Sequence, residues 1–479
     1  MNKSRKRVMA LAGGALLFAL MQIVNPWSLD PKACTVAAIA ALMVFWWISE
    51  AMPMPMVALI PLVLFPLLGI AKLDDTAAPY ASPIIFLFMG GFMLGLAIEK
   101  WNLHKRIALN IVKVTGTSGN RIVLGFIIAT GFLSMWLSNT ATTMMMYPIA
   151  MSVVHVLEEK HNAGEQVNNL GICLMLSIAY ASNLGGLGTI IGTPPNVAWV
   201  AYLEKQQGYV FPFVDWMIIC TPLSIILSAA IYFVTAKWLY PTNISASATA
   251  NEMIDAELKE MGKMTKPEKR VLYIFVFTAT LWVIKDVING YQTLFKLDDT
   301  IIAIAGASML FMAPANDNER LLEWPDTQKM AWGILLLFGG GIALAQQLEH
   351  AGLIEKLGQW ISSYATNGFM LVLIITLLSI FISEVMSNVA QVIVFAPVVA
   401  GIAEALHTNG LQLGLAMTLG ASCASMLPMG TPPNAIVFAS GKLKLKHMLV
   451  SGFILNIISA IVITLFCWYV LPAVLPAAR

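Results

Sequence analysis

Gly192-Thr193-Pro194-Pro195-Asn196 and Gly430-Thr431-Pro432-Pro433-Asn434 are two copies of one pentapeptide, and both lie inside long apolar stretches. A glycine shortly before two prolines cannot continue a regular helix, because proline lacks a backbone N–H and fixes its own φ. In hydrocarbon, a broken backbone survives only where protein buries it or a polar cavity solvates it. Each copy follows a Ser-Asn pair set deep in apolar sequence, Ser138-Asn139 and Ser387-Asn388. Paired interruptions at matching places in two halves mark a binding site near the bilayer midplane.

The rest of the chain suits that reading. Of 479 residues, 58% are hydrophobic and 11% charged, where a soluble protein carries about 25% charged residues. Apolar runs of roughly 17–25 residues, enough to cross a bilayer, recur along the length. The net charge of +2 carries no nucleic-acid signal, since the basic residues fall in short loops between spans. Five scattered cysteines (Cys34, Cys173, Cys220, Cys423, Cys467) show no CxxC spacing and read as small buried side chains. The six histidines form no metal-binding cluster, so no cofactor is expected. There is no GxxxxGK[ST] loop and no clustered His, Asp or Cys set, which argues against a pump and an enzyme.

Apolar runs in order predict an all-α polytopic membrane protein, with spans near 8–25, 33–50, 53–71, 83–100, 215–241, 271–289, 299–314, 331–349 and 447–475. Two segments, 121–157 and 368–405, are too long for one crossing and read as re-entrant hairpins tipped by the Ser-Asn pairs. Segments 170–203 and 411–440 are spans broken at the pentapeptides. That makes about eleven transmembrane helices plus two hairpins. Residues 1–32 hold an extra N-terminal helix, in which Lys3, Arg5, Lys6 and Arg7 precede an apolar run without a convincing cleavage site. Residues 33–241 form a first repeat, 242–270 a polar cytoplasmic linker, and 271–479 a second repeat.

Placing the N-terminal cluster in the cytoplasm puts Lys100, Lys105, Arg106, Lys113 and Arg121, then Lys263, Lys266, Lys269 and Arg270, then Lys442, Lys444 and Lys446 there too. That pattern obeys the positive-inside rule and leaves the C-terminus outside. Phe88-Met-Gly-Gly91 echoes Phe338-Gly-Gly-Gly341, and Phe132–Ala141 echoes Phe381–Ala390 at nearly the same offset. The two hairpins then enter from opposite sides, so the repeats are inverted.

Serine hydroxyls, asparagine oxygens and freed carbonyls are hard neutral ligands that suit a small cation such as Na⁺. Ser134, Ser138 and Asn139 with the backbone of Gly192 form one candidate set; Ser383 and Asn388 with the backbone of Gly430 form the other. No Arg or Lys falls near mid-span, so an anion would rest on half-helix N-termini and neutral donors. Bound cations would help to neutralise a dianion there. Glu384, whose repeat partner is Met135, stands beside the second set, where a carboxyl would add charge to the cation site, respond to protons, or serve structure.

At Ser138-Asn139-Thr140 and the two Gly-Thr-Pro-Pro-Asn motifs, the chain resembles the divalent anion:sodium symporter family along essentially its whole length. The resemblance implies a homodimer in a bacterial inner membrane, each protomer having a scaffold domain and an elevator-type transport domain, embedded in lipid. It implies Na⁺-coupled symport of C4-dicarboxylates (succinate, malate, fumarate), with Na⁺ as the coupling ion. The alternative is Na⁺-independent dicarboxylate or citrate/dicarboxylate antiport, since the family includes exchangers. Carried over residue by residue, the resemblance puts carboxylate contacts at Asn139, Thr140, Ser387, Asn388, Thr431 and Pro432. The chain departs from the family at Val389, where a threonine is often found.

Overall fold

The computed structural model describes residues 3–475 apart from 26–27, 50, 117, 162–164, 243–247, 293, 354–355, 357–367 and 407. Among the described residues, all regular structure is helical except an isolated bridge between Pro314 and Arg320. Nine helices there are long and apolar enough to cross a membrane, and five further apolar helices are shorter. The expected all-α membrane architecture is the one found.

In chain order the principal helices are α1 (Lys3–Val24), α2 (Pro31–Ile48), α3 (Met54–Ala58), α4 (Ile60–Leu67), α5 (Pro83–Lys100), α6 (Leu103–Thr115), α7 (Gly119–Ser134) and α8 (Asn139–His161). There follow α9 (Glu165–Gly185), α10 (Pro194–Gln206), α11 (Phe213–Tyr232), α12 (Ala248–Glu260), α13 (Lys266–Tyr291) and α14 (Asp299–Met312). The last six are α15 (Trp332–His350), α16 (Gly368–Ser383), α17 (Asn388–Ala405), α18 (Gly410–Ala421), α19 (Pro432–Phe438) and α20 (Leu445–Leu465).

The two over-long segments each fold as two helices, α7–α8 and α16–α17, separated at residues 135–138 and 384–387. α7 and α16 have 16 residues each, about 24 Å of helix against a hydrocarbon core of about 30 Å. Matched residues of the two halves meet: the rings of Phe88 (α5) and Phe338 (α15) pack edge to face with centroids 5.4 Å apart. The middle of the molecule is the first broken helix, in which every residue from 170 to 193 is buried. Other helices turn apolar faces outward, as Ile218, Ile225 and Ile226 do on α11 and Val276, Phe277 and Val283 on α13. In a bilayer those faces meet lipid.

The structure departs from the sequence expectation in three places. The span expected at 53–71 is split into α3 and α4, consistent with its four prolines, Pro53, Pro55, Pro61 and Pro66. The loop after α5 holds α6, whose Leu103, Ala108, Leu109 and Val112 form a buried stripe. The polar linker is not featureless either, since it carries α12. That helix is tied to α6 by Lys105–Glu257 (2.7 Å) and Lys113–Asp255 (2.6 Å). Arg106 adds a bond of 3.1 Å to Glu268 at the start of α13. The side on which the C-terminus was expected to emerge concerns residues 476–479, which lie outside the described residues.

Candidate binding site

Each pentapeptide breaks its helix in the same way. Thr193 (φ −143°, ψ 138°) and Thr431 (φ −143°, ψ 152°) are extended, because the proline that follows crowds them out of the helical region. Pro194-Pro195 and Pro432-Pro433 then open α10 and α19, where a missing N–H costs nothing. The motif's asparagine closes the gap. Asn196 Nδ2 donates to the carbonyls of Gly186 (3.2 Å) and Thr189 (2.8 Å). Asn434 Nδ2 donates to those of Ala424 (3.3 Å) and Leu427 (3.1 Å). Backbone crosses backbone closely in the first break, where a side chain on Gly192 would come within 2.4 Å of Gly186 O.

The first candidate cation set converges. Asn139 Oδ1 lies 2.7 Å from Ser134 Oγ, which also lies 2.7 Å from the carbonyl oxygen of Ser182. The same Asn139 atom is 3.1 Å from Ser182 O and 3.2 Å from Gly192 O. Four oxygens therefore crowd one point with one hydroxyl proton among them. Two arrangements relieve that repulsion: the amide turns so that Nδ2 brings its two N–H groups to these acceptors, or a cation occupies the cluster. Ser138, by contrast, caps α8, its Oγ accepting the N–H of Ala141 at 3.2 Å.

The second set is looser. Ser383 is buried and donates to Ile380 O at 3.0 Å. Asn388 Oδ1 is buried without a hydrogen-bond partner, and no hydrogen bond joins Ser383, Asn388 and Gly430 among the described residues. Glu384 takes the organising place instead. Its Oε1 accepts from Ser425 N (2.8 Å), Met426 N (2.8 Å) and Asn456 Nδ2 (2.7 Å), and its Oε2 from Leu427 N (2.9 Å). A side chain on Gly430 would sit 3.0 Å from that Oε2.

Between the two sets lies a cavity of about 720 Å³, a size typical of small-molecule sites. Asn139, Thr140, Ser387, Asn388, Thr431 and Pro432, the residues expected at a carboxylate, all line it. So do Ser138 and Gly430, whereas Ser134, Gly192 and Ser383 stand behind its wall. Among the described residues no charged side chain lines the cavity. Sequence reasoning missed Trp47, Met54 and Pro55, which close one side, and Asn183 of α9. Asn183 was legible as a polar residue in a run that is otherwise apolar or small.

Paired helix breaks around a cavity with no charged lining among the described residues, inside a bundle of apolar helices long enough to span a membrane, fit a transporter. The chain belongs to the sodium:sulfate symporter family, whose transmembrane region matches residues 4–474. It is 37% identical over 485 residues to the sodium-dependent dicarboxylate transporter SdcS of Staphylococcus saprophyticus, covering 99% of this chain and 93% of that protein. The Staphylococcus aureus protein of the same name is 38% identical over 490 residues, covering 99% and 94%. Among solved structures, the YdaH transporter of Alcanivorax borkumensis superimposes with TM-score 0.60 at 13% identity, covering 94% of this chain and 100% of that one. MtrF of Neisseria gonorrhoeae gives 0.59 at 11%, covering 94% and 97%. At such identities these two speak for the fold alone.

Proposed function

We propose that this chain is a Na⁺-coupled symporter that carries C4-dicarboxylates such as succinate, malate and fumarate into a bacterial cell across the inner membrane. The observation that carries the reading is the convergence of Ser134 Oγ, the Asn139 amide and the carbonyl oxygens of Ser182 and Gly192 at one helix break, beside a cavity lined by both hairpin tips. The set matches Na⁺, a hard cation that takes neutral oxygens. The sodium-dependent dicarboxylate transporters it resembles support the same assignment.

One Na⁺ would be held by Ser134, Ser138, Asn139 and Gly192, with the Ser182 carbonyl added. A second would be held by Ser383, Asn388 and Gly430, where the unpartnered Asn388 oxygen wants a cation or a donor and Glu384 supplies negative charge. The dianion would sit in the cavity between them, against Asn139, Thr140, Ser387, Asn388, Thr431 and Pro432. Because no cationic side chain lines that cavity among the described residues, bound Na⁺ would compensate the carboxylates, and binding of ion and anion would be coupled by charge. The N-termini of α8, α10 and α17 add positive dipole ends. Two inverted repeats, 33–241 and 271–479, would form a scaffold and an elevator-type transport domain in a homodimer, with the N-terminus cytoplasmic and the C-terminus outside.

Uptake of labelled succinate into proteoliposomes should require an inward Na⁺ gradient. Asn139→Ala or Asn388→Ala should abolish it, while the protein still purifies as a monodisperse dimer. Uptake indifferent to Na⁺ but driven by internal dicarboxylate would replace symport by exchange.

A further inference from the structure

We infer that Asn183, on α9 of the first half, sets the hydroxyl of Thr431 in the second half as a hydrogen-bond donor to the transported anion. It is a positioning residue for the carboxylate, and the inference rests on the reading of the cavity as the anion site. Asn183 is 1% exposed, and its Nδ2 lies 3.0 Å from Thr431 Oγ1 and 3.4 Å from Asn434 Oδ1. The orientation of its amide is fixed by its neighbour. Asn434 spends its own Nδ2 on the carbonyls of Ala424 and Leu427, so its Oδ1 is what faces Asn183. Only an N–H can meet that oxygen.

Thr431 Oγ1 also accepts the backbone N–H of Asn434 at 3.4 Å. A hydroxyl oxygen has two lone pairs and one proton. With Asn183 and Asn434 occupying both lone pairs, the proton must point elsewhere, and Thr431 lines the cavity. A donor is what a carboxylate needs from a site without cationic side chains. Among the described residues the first half shows no such arrangement. Thr193 makes no side-chain cap bond, and among the described residues its hydroxyl meets Asn139 alone, at 3.5 Å. Moving 238 positions on from Asn183, the spacing between the two pentapeptides, reaches Ala421. Among the described residues the device therefore occurs once. It fixes one end of the anion at the second motif with a residue from the first half, and so joins the halves through the substrate site.

The test measures succinate KM at saturating Na⁺ in proteoliposomes for Asn183→Ala, Asn183→Ser, Asn183→Asp, Thr431→Ala and the Asn183→Ala/Thr431→Ala double variant. Beside it runs the Na⁺-induced rise in melting temperature of the purified protein without substrate. A hydrogen bond to a charged group is worth about 1.5–3 kcal/mol, so Asn183→Ala should raise KM about tenfold. Asn183→Asp should do more harm, because its carboxylate accepts the Thr431 proton that the substrate needs. Asn183→Ser keeps a donor and should recover part of the affinity. The double variant should be no worse than Thr431→Ala alone, and Na⁺ should still stabilise every variant. Additive losses in the double variant overturn the inference, as does a stably folded Asn183→Ser that recovers nothing. If Thr431→Ala leaves KM unchanged, the anion-site reading itself fails. If Thr431→Ala raises KM and Asn183→Ala does not, only the role of Asn183 falls.

Discussion

In the first half, Asn196 bridges the carbonyls of Gly186 and Thr189; in the second, Asn434 bridges those of Ala424 and Leu427, every residue displaced by the same 238 positions. The way a helix is broken and held open is thus repeated atom for atom. What surrounds the breaks is not repeated. The first break is buried throughout, from Gly186 to Thr193, and its oxygens close on Asn139. The second is open, with Met429 77% exposed and Pro432 exposed on the cavity wall, and it is organised by a carboxylate. The two breaks share their backbone geometry while the polar residues beside them differ, closely packed at the first and open to the cavity at the second.

Glu384 offers the sharpest way to break that comparison. Its two oxygens receive four N–H groups, three from the unwound backbone of Ser425, Met426 and Leu427. A carboxylate accepts everywhere, whereas a glutamine must present an NH₂ to at least one of those donors. Glu384→Gln should therefore cost about 3 kcal/mol or more of stability, read as a fall in melting temperature in detergent. At the matching first-half position, Met135→Leu conserves volume and should cost under about 1.5 kcal/mol. Equal melting temperatures for the two variants would show that the carboxylate does not hold the second break open.

The asparagine bridges test what the halves share. Asn196→Ala and Asn434→Ala each delete two bonds to carbonyls of the break, of which Thr189 O and Leu427 O keep a backbone donor from Gly192 and Gly430, and each should destabilise by about 1–3 kcal/mol. Asn434→Ala should be the larger, since it also strips Asn183 of an acceptor. A stable Asn196→Ala beside a crippled Asn434→Ala would mean that the first break is held by burial alone.

Much of this was legible in the chain because membrane chemistry leaves few options. Proline pairs in apolar sequence had to be helix breaks, and Ser-Asn pairs there had to face oxygen partners or a cavity. Glu384 was legible as unusual but not as structural, because its partners are the N–H groups of a loop 41 to 43 residues away. Asn183 was visible as a polar residue in an apolar run, but its role stayed hidden for a similar reason: its partner is 248 positions distant, and nothing local distinguishes a bridging asparagine from a packed one. The helices α6 and α12 were missed because short amphipathic or charged stretches outside the bilayer resemble loops when only apolar length is scored.

The finest difference between the halves is one hydroxyl. Thr140 follows Asn139 on the cavity wall, and its counterpart after Asn388 is Val389, also on the wall. Valine and threonine have nearly the same shape, so exchanging them changes hydrogen bonding with little change in packing. A neutral hydrogen bond contributes about 0.5–1.5 kcal/mol net, which converts to roughly a twofold to tenfold change in KM. If the anion bridges both hairpin tips, Val389→Thr should lower the succinate KM within that range, and Thr140→Val should raise it by a similar factor. Neither should alter the Na⁺-induced stabilisation of the empty protein, since neither side chain belongs to a cation set. Should Thr140→Val weaken binding while Val389→Thr does nothing, the anion leans on the first tip only. The second half would then contribute Thr431 and its cation, and Val389 would mark the side from which a bulkier substrate could still enter.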